Sequence, residues 1–224
     1  MTSRLFSNAR WYLGIAKSLV PYPVWAVSIV VFTNDNLIES MSIEGRSMSP
    51  TLSPEYHDTG SMDYVLFRKY APTADLKRGD VVSFWTPHRK EHLAVKRIVA
   101  LEGDTVYLDP KRRPRDDTPQ GEKAARDWDI MGHWDWEGSE RIKSTNMNRP
   151  KVRVPYGHVW VEGDNWRDSA DSNYYGPVSK SLISGKALCL YWPFNRAGTR
   201  PWEKVPNATK VKQGKVLIPI HWQD

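Results

Sequence analysis

Arg78 to Asp104 reads RGDVVSFWTPHRKEHLAVKRIVALEGD. Arg78-Gly79-Asp80 is a turn signal. The β-branched and aromatic run Val81-Val82-Ser83-Phe84-Trp85 follows it and stops at Pro87. His92 to Leu101 is a second such run, and Gly103-Asp104 turns the chain into Thr105-Val106-Tyr107-Leu108. Strands separated by Gly-Asp turns at this spacing predict a mainly β domain. Working outward, the same reading applies to Met41–Ile43, Tyr64–Phe67, His158–Glu162 and Ile183–Trp192. Long helical periodicity is missing outside the N-terminal segment.

The 224 residues suffice for one compact domain with appendages, not for two large ones. The net charge of +6 permits attraction to an anionic surface. Its basic residues are mixed with acidic ones, with no Arg/Lys block interleaved with aromatics, so no nucleic acid is expected as a partner. One cysteine, Cys189, excludes an intrachain disulfide and a multi-cysteine metal site. It lies in an apolar run and reads as an inert core residue. The six histidines show no HExxH, and His88 and His92 read as parts of a solvated loop after Pro87. Neither a metal nor another cofactor is expected.

Leu19 to Phe32, LVPYPVWAVSIVVF, carries no charge but is short for a bilayer. Extended back to Trp11 it gains one charge, Lys17, and becomes long enough. The expectation is one N-terminal transmembrane helix, a retained signal-anchor. A cleaved targeting peptide is less favoured because no A-x-A-like site follows, and a buried core helix is the other alternative. Arg4, Arg10 and Lys17 precede the run while Asp35, Glu39 and Glu44 follow it, which favours an inner N-terminus and an outer body. The expected organisation is therefore an N-terminal segment with a membrane anchor at 1–34, the β domain at 35–194, and a C-terminal tail at 195–224. The charged stretch 109–150 interrupts the domain. Its poor alternation reads as a surface excursion, though Trp128, Trp134 and Trp136 argue against complete disorder. Within the tail, Lys215–Ile220 reads as a further short strand or a docking arm.

Three stretches carry polar groups suited to chemistry. In Gly45-Arg46-Ser47-Met48-Ser49-Pro50-Thr51-Leu52 the glycine permits close backbone approach and Pro50 restrains Ser49, so a serine can be held rigidly and exposed. Taken alone this is an ordinary Ser/Pro loop. On the strand around Val95-Lys96-Arg97-Ile98, either choice of facing places a cation among apolar neighbours. A lysine desolvated there has a depressed pKa and can deprotonate a serine near neutrality, as in Ser-Lys peptidases. The plainer reading is a lysine that snorkels or pairs with an acid. Gly163 to Gly176, GDNWRDSADSNYYG, is dense in short polar side chains and reads as a hydrogen-bonded loop beside such a site.

Together these stretches resemble the type I signal peptidase family, serine peptidases with a Ser-Lys dyad. GRSMSPTL looks like the nucleophile box, RGDVVSF with VKRIVALEGD like the box of the general base, and GDNWRDSADSNYYGPVS like the last box. The resemblance implies a signal-peptidase-like catalytic β domain with Ser47 as nucleophile and Lys96 as general base. It also implies that Ser169 hydrogen-bonds the lysine and that Asp171 organises the loop. The short anchor, GRSMSPTL and DSNYYGPVS are most similar to the mitochondrial inner membrane protease branch, and to its second catalytic subunit more than its first. That implies a single-pass protein of the inner membrane whose catalytic domain faces the intermembrane space. It would remove sorting presequences from precursor proteins delivered there. The implied partners are a sister catalytic subunit, a small accessory subunit, those precursors and membrane lipid. Three departures stand out. Gly45 occupies a position where bacterial members often carry a hydroxyl, Asn173 stands where they often have arginine, and Trp166 displaces the arginine of the last box to Arg167. A non-catalytic scaffold subunit and a membrane-tethered binding module that uses the tryptophan-rich excursion are the alternatives.

Overall fold

The computed structural model describes residues 21–87, 89–108, 151–206 and 208–216. The excursion at 109–150 and the stretch 217–220 lie outside them. The first strands are β1 (Ile38–Ile43), β2 (Asp63–Arg68), β3 (Val81–Thr86), β4 (Arg89–Ala100) and β5 (Thr105–Tyr107). After the excursion come β6 (Lys151–Arg153), β7 (His158–Glu162), β8 (Val178–Ser179), β9 (Ile183–Trp192) and β10 (Val211–Lys212). Seven of these form one sheet in the order β1-β2-β9-β3-β4-β7-β8, and β10-β5-β6 form a second, smaller sheet. Each pairing is antiparallel.

Alternation of side chains decides the packing. On β2, Asp63, Val65 and Phe67 are buried while Tyr64 faces outward. Val65 and Phe67 share a core cluster with Val81, Ala187 and Leu190, which Met48 and Leu52 of the GRSMSPTL loop complete. A second cluster unites Val82, Phe84, Ile98, Val159, Val161 and Tyr175. A third joins Val99 and Trp160 to Val106 and Val154, and so seats the small sheet on the large one. The strand carrying Lys96 and Arg97 is thus covered on both faces, and both cations are buried.

Three expectations need correction, and three short strands are additional. β4 begins at Arg89, so His92 lies on a strand with its side chain exposed, not in a loop. Cys189 is half-buried on β9 and not a core residue. Strands β6, β8 and β10 span two or three residues, too few for alternation to show in the sequence.

The third correction concerns the membrane anchor. The helix α1 (Pro21–Asn36) has 16 residues, about 24 Å at about 1.5 Å per residue, against a hydrocarbon core of about 30 Å. Its last turn, Thr33-Asn34-Asp35-Asn36, is polar. Among the described residues no helix is long and apolar enough to cross a membrane, which overturns the expected transmembrane helix. The part of the expected span before Pro21, back to Trp11, lies outside the described residues.

Candidate active site

The loop after β1 holds Ser47 through backbone geometry. Gly45 has φ of +81°, a left-handed conformation in which a side chain is strained. The Ser49 N–H donates to the Arg46 carbonyl at 3.0 Å and the Leu52 N–H to the Met48 carbonyl at 2.9 Å. Met48 and Leu52 point into the core at 1% and 0% exposure, so the turn is pinned from below. Ser47, just before Met48, stays half-exposed. Farther along, Ser53 closes the loop. Its hydroxyl donates to the Ile43 carbonyl at 2.6 Å, and its N–H donates to the Asp63 carboxylate at 2.8 Å.

Lys96 comes up from β4. Its Nζ lies 2.6 Å from Ser47 Oγ and 3.2 Å from the Val95 carbonyl oxygen. The side chain is buried, and burial pushes its pKa down to about 8 against the opposing pull of Asp171, Asp164 and Asp168. A neutral amine is therefore accessible near physiological pH, with a serine hydroxyl in hydrogen-bond reach. Arg97, on the opposite face, forms a two-pronged pair with Asp164 at 2.7 and 2.6 Å. That pair anchors Gly163-Asp164-Asn165, and the Asn165 N–H donates to the Ser47 carbonyl at 3.0 Å. The adjacent cations Lys96 and Arg97 thus approach the serine loop by different routes.

Among the described residues, Asp171 organises its loop through neutral hydrogen-bond donors. One carboxylate oxygen accepts the Gly163 N–H at 2.9 Å and the Ser169 hydroxyl at 2.8 Å. The other accepts the Asn173 N–H at 3.0 Å and its side-chain amide at 3.1 Å. Asn173 thus supplies neutral donors where bacterial members often have an arginine. The Ser169 hydroxyl is directed to Asp171, while the hydrogen bonds of Lys96 among the described residues run to Ser47 and Val95. Arg167 stacks over the Trp166 ring at 4.5 Å. Sequence reasoning missed Arg97 and Asp164 as a pair, although the strand period already set Arg97 and Lys96 on opposite faces. Among the described residues no cluster of His, Cys, Asp or Glu is arranged to hold a metal.

Gly163 is where the serine loop meets the Gly163–Gly176 stretch. A Cβ added there would lie 2.3 Å from Ser169 Oγ and 2.5 Å from the Ser47 carbonyl oxygen. Both contacts lie well inside van der Waals distance, and the serine loop would have to move. Gly163→Ala is expected to lower kcat by about 100-fold, the scale of a misplacement of about 1 Å, with KM little changed. Steady-state cleavage of a peptide by the purified variant checks this, and a kcat within about threefold of wild type would refute it.

Comparison with known proteins identifies the family. The family model described as "Signal peptidase, peptidase S26" matches residues 16–192. The chain is 34% identical to mitochondrial inner membrane protease subunit 2 of Schizosaccharomyces pombe over 81% of this chain and 79% of that protein. It is 33% identical to subunit 2 of Mus musculus over 84% of this chain and 88% of the relative. Subunit 1 of Schizosaccharomyces pombe is 29% identical over 76% of this chain and 86% of its own length. Similarity of this extent, spanning all three stretches that converge on Ser47, places the chain in the S26 signal peptidase family of serine peptidases.

Proposed function

We propose that this chain is a serine endopeptidase of the mitochondrial inner membrane that removes sorting presequences by a Ser47–Lys96 dyad. The observation that carries the reading is the 2.6 Å approach of Lys96 Nζ to Ser47 Oγ in a buried setting that favours the neutral amine. Neutral Lys96 takes the hydroxyl proton as Ser47 Oγ attacks the scissile carbonyl. The tetrahedral oxyanion meets the Ser47 N–H, which has no acceptor among the described residues. The lysine ammonium then protonates the leaving amine as the C–N bond breaks, leaving an acyl-enzyme on Ser47. Lys96, neutral again, takes a proton from water, which attacks the ester and frees the serine. Asp171 holds Gly163 and Ser169 in place throughout and acts as a positioning residue.

The relatives named as mitochondrial inner membrane proteases support the location and the substrate class. The presence of both subunit 1 and subunit 2 in one organism supports a sister catalytic subunit as partner. A small accessory subunit completes the proposed complex. The catalytic body faces the intermembrane space, where sorted precursors expose their presequences. In mitochondria depleted of this chain, such precursors should accumulate at full length, and re-expression should restore cleavage. In mitoplasts, protease should digest the catalytic body while it survives in intact organelles. Normal processing after depletion, or survival of the body until detergent is added, would overturn the reading.

A further inference from the structure

The family match ends at residue 192, yet the segment that follows is wired into the site from two sides. It turns back on β9 through the Gly198 N–H to the Leu190 carbonyl at 2.7 Å and the Leu190 N–H to the Thr199 carbonyl at 3.0 Å. From this turn Arg196 reaches the serine loop. Its guanidinium donates to both Asp63 oxygens at 2.9 and 2.8 Å and to the Thr51 carbonyl at 3.0 Å. Asp63 in turn accepts the Ser53 N–H, so Arg196 fixes the far end of GRSMSPTL twice.

A few residues on, Trp202 does the complementary job. Its side chain is 3% exposed and completes the core cluster that holds Met48 and Leu52, the apolar anchors of the serine turn. Its carbonyl accepts the third arm of Arg97 at 2.5 Å. The other two arms grip Asp164, whose neighbour Asn165 donates to the Ser47 carbonyl. One residue of the segment therefore bears on the neighbour of Ser47 through its side chain and on the neighbour of Lys96 through its backbone.

We propose that the segment Phe194–Lys204 is a positioning element of the peptidase site, and that Arg196 and Trp202 set the separation of Ser47 and Lys96. The proposal rests on the dyad reading above. Neither residue touches the reacting atoms. Each acts through the serine loop or through Arg97. Loosening either contact should let the serine turn and β4 drift apart, and water should then reach the Lys96 amine.

The test uses the full-length chain with Trp202→Leu, Trp202→Phe, Arg196→Met and Arg196→Lys. Active sites are titrated with a peptide boronate, and Ser47→Ala serves as the blank. Trp202→Leu and Arg196→Met should lower kcat per titrated site at least about tenfold with KM within about twofold. The midpoint of the alkaline-rising rate profile should move upward, because a hydrated lysine regains affinity for its proton. Trp202→Phe and Arg196→Lys should recover much of both readouts. Arg196 is partly exposed, so its variants remain informative if a Trp202 change prevents folding. Loss of folded yield alone, with kcat per site and the midpoint at wild-type values, would reduce the segment to a stabilising one and overturn the proposal. Cleavage by the Ser47→Ala blank would instead overturn the dyad reading on which it stands.

Discussion

Lys96→Met is expected to abolish cleavage, by at least about 10⁴-fold, while making the protein more stable. The loss follows from removing the only amine within reach of Ser47 Oγ among the described residues. The gain follows from burial. An exposed lysine titrates near 10.5, and this one is pushed down to about 8. The unfolded chain therefore binds more protons than the native one between these values, so stability rises with pH across that window. Below about pH 8 both states are protonated and the cost of burying the cation is fully present. Methionine, of similar length and uncharged, removes that cost and should raise stability at pH 7 by about 1–3 kcal/mol. Wild-type activity should rise with pH through about 8, as the neutral base appears. Lys96→Arg should be equally inactive, since arginine keeps its proton. Denaturant melts and rate–pH profiles of the three forms decide the matter. A Lys96→Met protein that cleaves within a hundredfold of wild type, or melts earlier, contradicts the assignment.

Ser47→Ala should be as severe for activity and nearly silent for stability. Ser47 is half-exposed, and its contact with the Gly163 loop is made by its carbonyl, which alanine retains. Stability should stay within about 0.5 kcal/mol, while cleavage falls by about 10⁴-fold or more. Ser49, two residues on, is the natural control. Ser49→Ala should keep its rate, because Ser49 contributes its backbone N–H to the turn. Equal losses in the two variants would show that the loop, and not the Ser47 hydroxyl, is what the substitution damages.

The pattern of residues made some of this visible in advance and concealed the rest for physical reasons. The run Val81–Trp85 marks a strand by nearly continuous burial, and Ile183–Trp192 by alternation of buried and half-buried residues along most of its length. The polar stretches around Ser47, Lys96 and Asp171 stood out because short polar side chains cluster there beside glycines. That they come together around Ser47 is a tertiary fact that chain order does not carry. The apolar run ends at Phe32, yet α1 continues through the polar Thr33-Asn34-Asp35-Asn36, which hydropathy does not mark. Trp202 was hidden for another reason. It is an isolated aromatic in a Pro- and Lys-containing stretch, with no periodicity to reveal that its ring enters the core. Arg196 likewise reads as an ordinary surface charge until Asp63, a buried carboxylate far away in the chain, is placed opposite it.

The position of β9 in the sheet has a consequence for how the enzyme comes into being. This strand, late in the chain, lies between β2 and β3, so it separates the hairpin bordering Ser47 from the hairpin bearing Lys96. Neither hairpin can be brought to its final distance from the other until β9 has been made and inserted. Contacts of such long sequence separation are closed late and slowly. A growing chain therefore carries Ser47 and Lys96 on hairpins that are not yet joined. On the proposed Ser47–Lys96 dyad, proteolytic power would arise only with the completed fold, and an unfinished molecule would be no hazard to itself or to its neighbours.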